Sequence, residues 1–122
     1  EARLTERTYD ASLVSRLTRT GAGSLAGART LTVLLREVAL WDADLRERGW
    51  GPTFAGNVGL RWALLADAAV ENAARYEASC GGPDWRAELL VWRAVAVDQP
   101  EWAGALGVEG LARIDRALAA CG

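Results

Sequence analysis

The sequence predicts a single all-α domain, a compact up-down bundle of five helices, or six if glycines near the C-terminus divide the last segment. Three observations carry this expectation. Apolar residues recur at three- and four-residue spacings along nearly the whole chain. Gly and Pro gather at the joints between the periodic stretches. The joints are short, which favours antiparallel neighbours. A length of 122 residues suits one domain, 1–122, and a 51% hydrophobic content suits a packed core.

The first helix is expected over residues 5–21. Thr5 is placed to cap it, with Leu4 and Tyr9 as a hydrophobic staple across the cap. Tyr9, Leu13 and Leu17 then repeat every fourth residue. Ser24 is placed to cap the second helix, whose stripe is Leu31, Leu34, Leu35, Val38, Trp41 and Leu45, and Gly49 ends it. Thr30, Thr32 and Val33 lean locally towards strand, but a long helical stripe outweighs that weak preference.

The turn Gly49-Trp50-Gly51-Pro52 leads to the third helix, with Thr53 or Asn57 as its cap. Val58, Trp62, Leu65, Ala69, Tyr76 and Cys80 share one face of that helix. Leu60 and Leu64 fall on the opposite face, so its first half is apolar all round. Cys80-Gly81-Gly82-Pro83 closes it. Asp84 is expected to cap the fourth helix, which carries Trp85, Leu89, Trp92 and Ala96 on one side. Leu90, Val91, Val95 and Val97 widen that side until little polar surface remains, and this is expected to be the most buried helix. Asp98 and Glu101 have capping-box spacing around Pro100. Gly104, Gly107 and Gly110 then separate a short helix from a final one that gathers Leu111, Ile114 and Leu118.

Composition excludes several chemistries. All 14 basic residues are Arg, and Lys, His and Met are absent, a bias expected of a GC-rich genome. Without His there is no Ser-His-Asp triad, no Cys-His pair and no His-ligated metal or haem. Two Cys cannot build a zinc or iron–sulfur site within one chain. No metal or other cofactor is expected. The net charge of -2 is spread in alternating signs, which leaves no basic stripe for nucleic acid and no polybasic segment for a membrane surface.

The run Thr20-Gly21-Ala22-Gly23-Ser24-Leu25-Ala26-Gly27 has dinucleotide-binding glycine spacing, but that motif requires a preceding strand, and here a helix precedes it. Asp67 and Glu71 lie four apart, opposite the apolar stripe, and Glu71 has Arg75 as an i,i+4 partner. A solvated face is the simpler reading. Asp42 and Glu88 project among apolar residues and require partners there, for which Arg16, Arg61 and Arg93 are available. Cys80 and Cys121 end two helices that run parallel in an up-down bundle. A disulfide between them is therefore geometrically feasible, and two free thiols in a reducing cytoplasm is the simpler alternative.

Two functions follow as expectations. The first is a non-catalytic protein-interaction module, such as a regulator, an immunity or inhibitor protein, or a small subunit of an assembly. It would bind another protein or itself through Trp50, Leu60 and Leu64. The second is a cofactor-independent enzyme or small-molecule binder with Asp42, Glu88, Arg93 and Trp92 lining a pocket between helices. The first is favoured because no catalytic set is evident, and the cytoplasm is the expected compartment, with a secreted mature product as the alternative.

Overall fold

The computed structural model describes residues 23–49 and 52–121. They form four helices and no strand: α1 (Leu25–Glu47), α2 (Pro52–Ser79), α3 (Pro83–Asp98) and α4 (Pro100–Ala120). The architecture is the expected helical bundle, and the described residues hold four helices against the five or six expected of the chain. The first expected helix, with Tyr9, Leu13 and Leu17, lies outside the described residues, as does Trp50. The two segments expected at the C-terminus are one helix, bent where Gly107 leaves the helical region with φ 70 and ψ 176. Gly110 stays helical and buried, and a side chain there would press on Leu106 and Val70, so its hydrogen lets α4 lie close to α2.

The helix ends follow local chemistry. The Ser24 hydroxyl accepts a hydrogen bond from the Gly27 amide at 3.2 Å, capping α1. Gly49 takes φ 70 just past its end, a conformation open to glycine. Three expected caps are displaced, each by a proline. α2 begins at Pro52, ahead of both Thr53 and Asn57. α3 begins at Pro83 with Gly82 before it, so Asp84 sits inside the first turn, near the positive end of the helix dipole. Asp98 is the last residue of α3, and Gln99 precedes Pro100 without a side-chain cap. Proline is pre-set for the first helical position and lacks the N–H that a cap would satisfy.

Side-chain contacts fix the directions. Arg29 of α1 meets Asp84 of α3, and Thr32 meets Glu88 and Trp92, so α1 and α3 run parallel. The disulfide Cys80–Cys121 ties the C-terminal ends of α2 and α4, so these two also run parallel. Successive helices are therefore antiparallel. The broadest contact is between α2 and α4, while the diagonals α1/α4 and α2/α3 touch least. Sequence neighbours α2 and α3 meet near their shared turn, where Trp85 Nε1 donates to Asn72 Oδ1 and the Tyr76 and Trp85 rings pack edge to face. The cysteines are joined rather than free.

The core draws on every described helix: Leu31, Leu35 and Val38 from α1, Leu65 and Tyr76 from α2, Leu89 and Trp92 from α3, and Trp102 and Ile114 from α4. Three buried indole N–H groups are satisfied. Trp85 donates to Asn72, Trp92 to the Thr32 hydroxyl, and Trp102 to the Trp92 carbonyl. Trp62 stacks at a tilt on Trp102, with ring centroids 6.1 Å apart, and its Nε1 is buried without a hydrogen-bond partner. An unmet buried donor costs about 1–3 kcal/mol. Trp62→Phe removes that donor, whereas Trp102→Phe removes a made bond. Urea denaturation is expected to find Trp62→Phe the less destabilising by about 1–2 kcal/mol. Equal losses would show that the Trp62 N–H is satisfied in solution.

Candidate functional site

The residues expected to line a pocket are distributed over three places. Asp42 is buried on α1, and its Oδ1 accepts from Nε of Arg46 at 2.9 Å. The same guanidinium reaches Glu101 at the start of α4. Among the described residues Asp42 is thus paired with the arginine one turn along its own helix, an i,i+4 pair, while Arg93 pairs elsewhere and Arg16 lies outside the described residues. The hydrogen bond that Arg46 donates to Asp42, then the charges of Asp42 and Glu101, raise the Arg46 pKa above its already high usual value, so Arg46 is a fixed cation.

Glu88 lies on α3, half-buried against α1. Its Oε1 accepts from the Thr32 hydroxyl at 2.5 Å, and that hydroxyl accepts from Trp92 Nε1 at 2.8 Å. Thr32 and Asp42 are ten residues apart on one helix, about 15 Å along its axis. Arg93 points the other way, to Asp115 of α4 at 2.8 Å. Trp92 is fully buried. Among the described residues Asp42, Glu88, Arg93 and Trp92 are therefore engaged by different neighbours: Arg46, Thr32, Asp115 and, for Trp92, Thr32 again.

Two open, shallow cavities occur among the better-formed ones. One, about 280 Å³, lies beside the disulfide and is lined by Tyr76, Cys80, Gly82, Pro83, Arg86 and Cys121. The other, about 230 Å³, lies between α1 and α3 and includes Arg36, Val95, Asp98 and Gln99. Neither contains Asp42, Glu88, Arg93 or Trp92. Among the described residues no three His, Cys, Asp or Glu side chains gather as metal ligands. No described helix is long and apolar enough to cross a membrane. Asp67 is exposed, and Glu71 pairs with Arg75 on the same outward face.

The surface feature that stands out is the outer face of α3. This helix was expected to be the most buried, and only one of its faces is. Trp85, Leu89, Trp92 and Ala96 point into the core. Ala87, Leu90, Ala94 and Val97 form an unbroken apolar row on the outside, with Leu90 48% and Val97 78% exposed. Periodicity marks which faces are apolar, but it does not tell whether the chain supplies a neighbour to cover each of them.

The row continues onto α4. Arg86 donates to the Leu118 carbonyl and Arg93 to Asp115, which sets the antiparallel register and brings Val97 level with the Gly107 bend. There Val108 is 86% exposed, the largest value among the large hydrophobics, with Ala112 exposed a turn later. The other exposed large hydrophobics among the described residues are more scattered. On α1, Val33 and Leu40 are separated by Arg36. On α2, Leu60 is 49% exposed, and Leu64 is half-buried against the core. Trp50, expected to join Leu60 and Leu64, lies outside the described residues.

No protein family, curated protein or solved structure matches the chain.

Proposed function

We propose that this chain is a non-catalytic interaction module whose contact surface is the apolar face of the α3/α4 hairpin. The supporting observation is the uncharged row Ala87, Leu90, Ala94 and Val97, continued by Val108. A helix that is apolar all round is normally covered on all sides. Here the described residues cover one side and leave the other exposed. Single exposed apolar residues need no explanation, whereas a contiguous patch marks a binding surface. The polar groups add to this reading: Asp42, Glu88 and Arg93 are each engaged within the fold. Leu60 on α2 offers a smaller, secondary surface. The Cys80–Cys121 bridge favours an oxidising compartment, the secreted alternative, over the expected cytoplasm, because cytoplasmic thiols are kept reduced.

A photo-crosslinking side chain placed at position 97, and separately at position 108, tests this in the native host. Each is expected to yield a discrete adduct, and the same group at Leu40 on α1 is not. Equal adduct formation at all three positions, or none at any, would remove the assignment of the surface. Val97→Glu is also expected to abolish the position-108 adduct while changing stability by less than about 0.5 kcal/mol, as for an ordinary surface substitution.

A further inference from the structure

The outer row of α3 has a property that narrows its occupant. Small and large side chains alternate along it: Ala87, Leu90, Ala94, Val97. The steps are three, four and three residues, so the row reads as small-large-small-large in one direction and as large-small-large-small in the other. An identical row laid antiparallel across it, with a twofold axis level with Trp92, brings every large residue opposite a small one. Leu90 then faces Ala94 of the partner subunit, and Val97 faces Ala87 of the partner subunit. A twofold interface is self-complementary by necessity, since each patch must fit itself. An unrelated partner imposes no such condition on the sequence.

Charge does not oppose the pairing. No ionisable residue interrupts the row; of the charges flanking it, Arg86 and Asp98 form no ion pair among the described residues, but they are opposite in sign and come level with each other across the twofold, and two others are matched within each copy. Arg93 is held by Asp115, and Asp84 lies 4.0 Å from Arg29. Alanines at the two small positions let the helix axes approach closely, and the largest residues of the row then fill the space above them. Val108, on the flank of the row, extends the contact from α3 onto α4.

We propose that the occupant of this face is a second copy of the chain, docked antiparallel through α3. This rests on the reading of the face as a contact surface and names what contacts it. The decisive experiment is sedimentation equilibrium on the disulfide-bonded chain from micromolar to near-millimolar concentration, with a charge-pair rescue. The native chain is expected to dimerise reversibly. Val97→Glu is expected to weaken the dimer at least about tenfold, because it buries an unpaired carboxylate against the partner. Adding Ala87→Arg to Val97→Glu is expected to recover most of that loss, since each glutamate then meets an arginine across the twofold. Residues 87 and 97 are about 15 Å apart along one helix, so the rescue cannot arise within a single chain. Leu40→Glu, on α1, is expected to leave the dimer unchanged, and circular dichroism to show the same helicity in all variants.

A native chain that stays monomeric throughout would overturn the proposal, as would a double variant no stronger than Val97→Glu. If the chain is monomeric while Val97→Glu still abolishes the crosslinked adducts, the face binds a different protein, and only the self-pairing is wrong. If Val97→Glu affects neither dimer nor adducts, the contact surface itself is misassigned.

Discussion

Replacing Trp92 by alanine is expected to destabilise the fold by about 4–5 kcal/mol, the upper end for loss of a large buried side chain. Trp92 is completely buried and touches the bundle on several sides. Its indole N–H donates to Thr32 on α1, and its carbonyl accepts from Trp102 on α4. Alanine removes the ring and the bond to Thr32, and the surrounding side chains are too well packed to collapse fully into the space. Domains of this size are typically stable by only about 5–15 kcal/mol, so much of the total is at stake. Trp92→Phe separates the two contributions. It keeps most of the ring and loses the donor, and the Thr32 hydroxyl still donates to Glu88. About 1–2 kcal/mol is expected for that change. Urea denaturation followed by circular dichroism measures both. A cost below about 1 kcal/mol for Trp92→Ala, in the range of a surface change, would mean that α3 does not pack its Trp92 face inward.

Removing the disulfide is expected to be nearly as costly. The bridge spans 41 residues and joins the C-terminal ends of α2 and α4. Chain-entropy arguments for a loop of this size give about 4 kcal/mol, an upper figure because native strain and residual unfolded structure subtract from it. The melting temperature of Cys80→Ala/Cys121→Ala is expected to fall by about 10–15 °C for a chain of this length. The backbone at Cys80 adds a finer test. This residue takes φ 45, a left-handed conformation that a side chain disfavours, one position before Gly81. Gly81 has its own reason to be glycine, since a Cβ there would run into the Trp85 ring. Once the bridge is gone, Cys80 has no reason to keep a side chain. Cys80→Gly/Cys121→Ala is expected to be more stable than the double alanine variant by about 1 kcal/mol. If both variants melt with the native chain, the bridge does not form in solution.

Much of the fold was legible in the sequence, because helix faces are local. The stripes Leu31, Leu35 and Val38, then Val58, Trp62 and Leu65, then Trp85, Leu89 and Trp92 are all buried. Ser24 and Gly49 mark the ends of α1 as their chemistry requires. The displaced caps share one cause: each expected cap stood close to a proline that starts the helix itself. The pairing of Asp42 was legible too, since Arg46 is one turn away on the same helix, but an apolar setting drew attention to more distant arginines. Thr32 was not legible. Its neighbours suggested only a weak leaning to strand, and its role depends on Glu88 and Trp92, some sixty residues away.

The candidate surface was half legible for a related reason. Composition showed that α3 is apolar nearly all round. Whether the chain has enough helices to cover both sides is a property of the assembled bundle, and α1 and α4 flank α3 without closing over Ala94 and Val97. Leu60 and Leu64 show the reverse case. Both fall opposite the buried stripe on a helical projection, yet Leu64 is packed against the core and Leu60 is exposed.

The contact role of α3 is tested most directly by amide chemical shifts of the ¹⁵N-labelled native chain, recorded from micromolar to millimolar concentration. The expected result is progressive movement of the amides from Ala87 to Val97 and around Val108, with those of Val33, Leu40 and Leu60 unmoved. Shifts confined to α1 and α2, or spectra identical at every concentration, would contradict the docking of a second copy on α3.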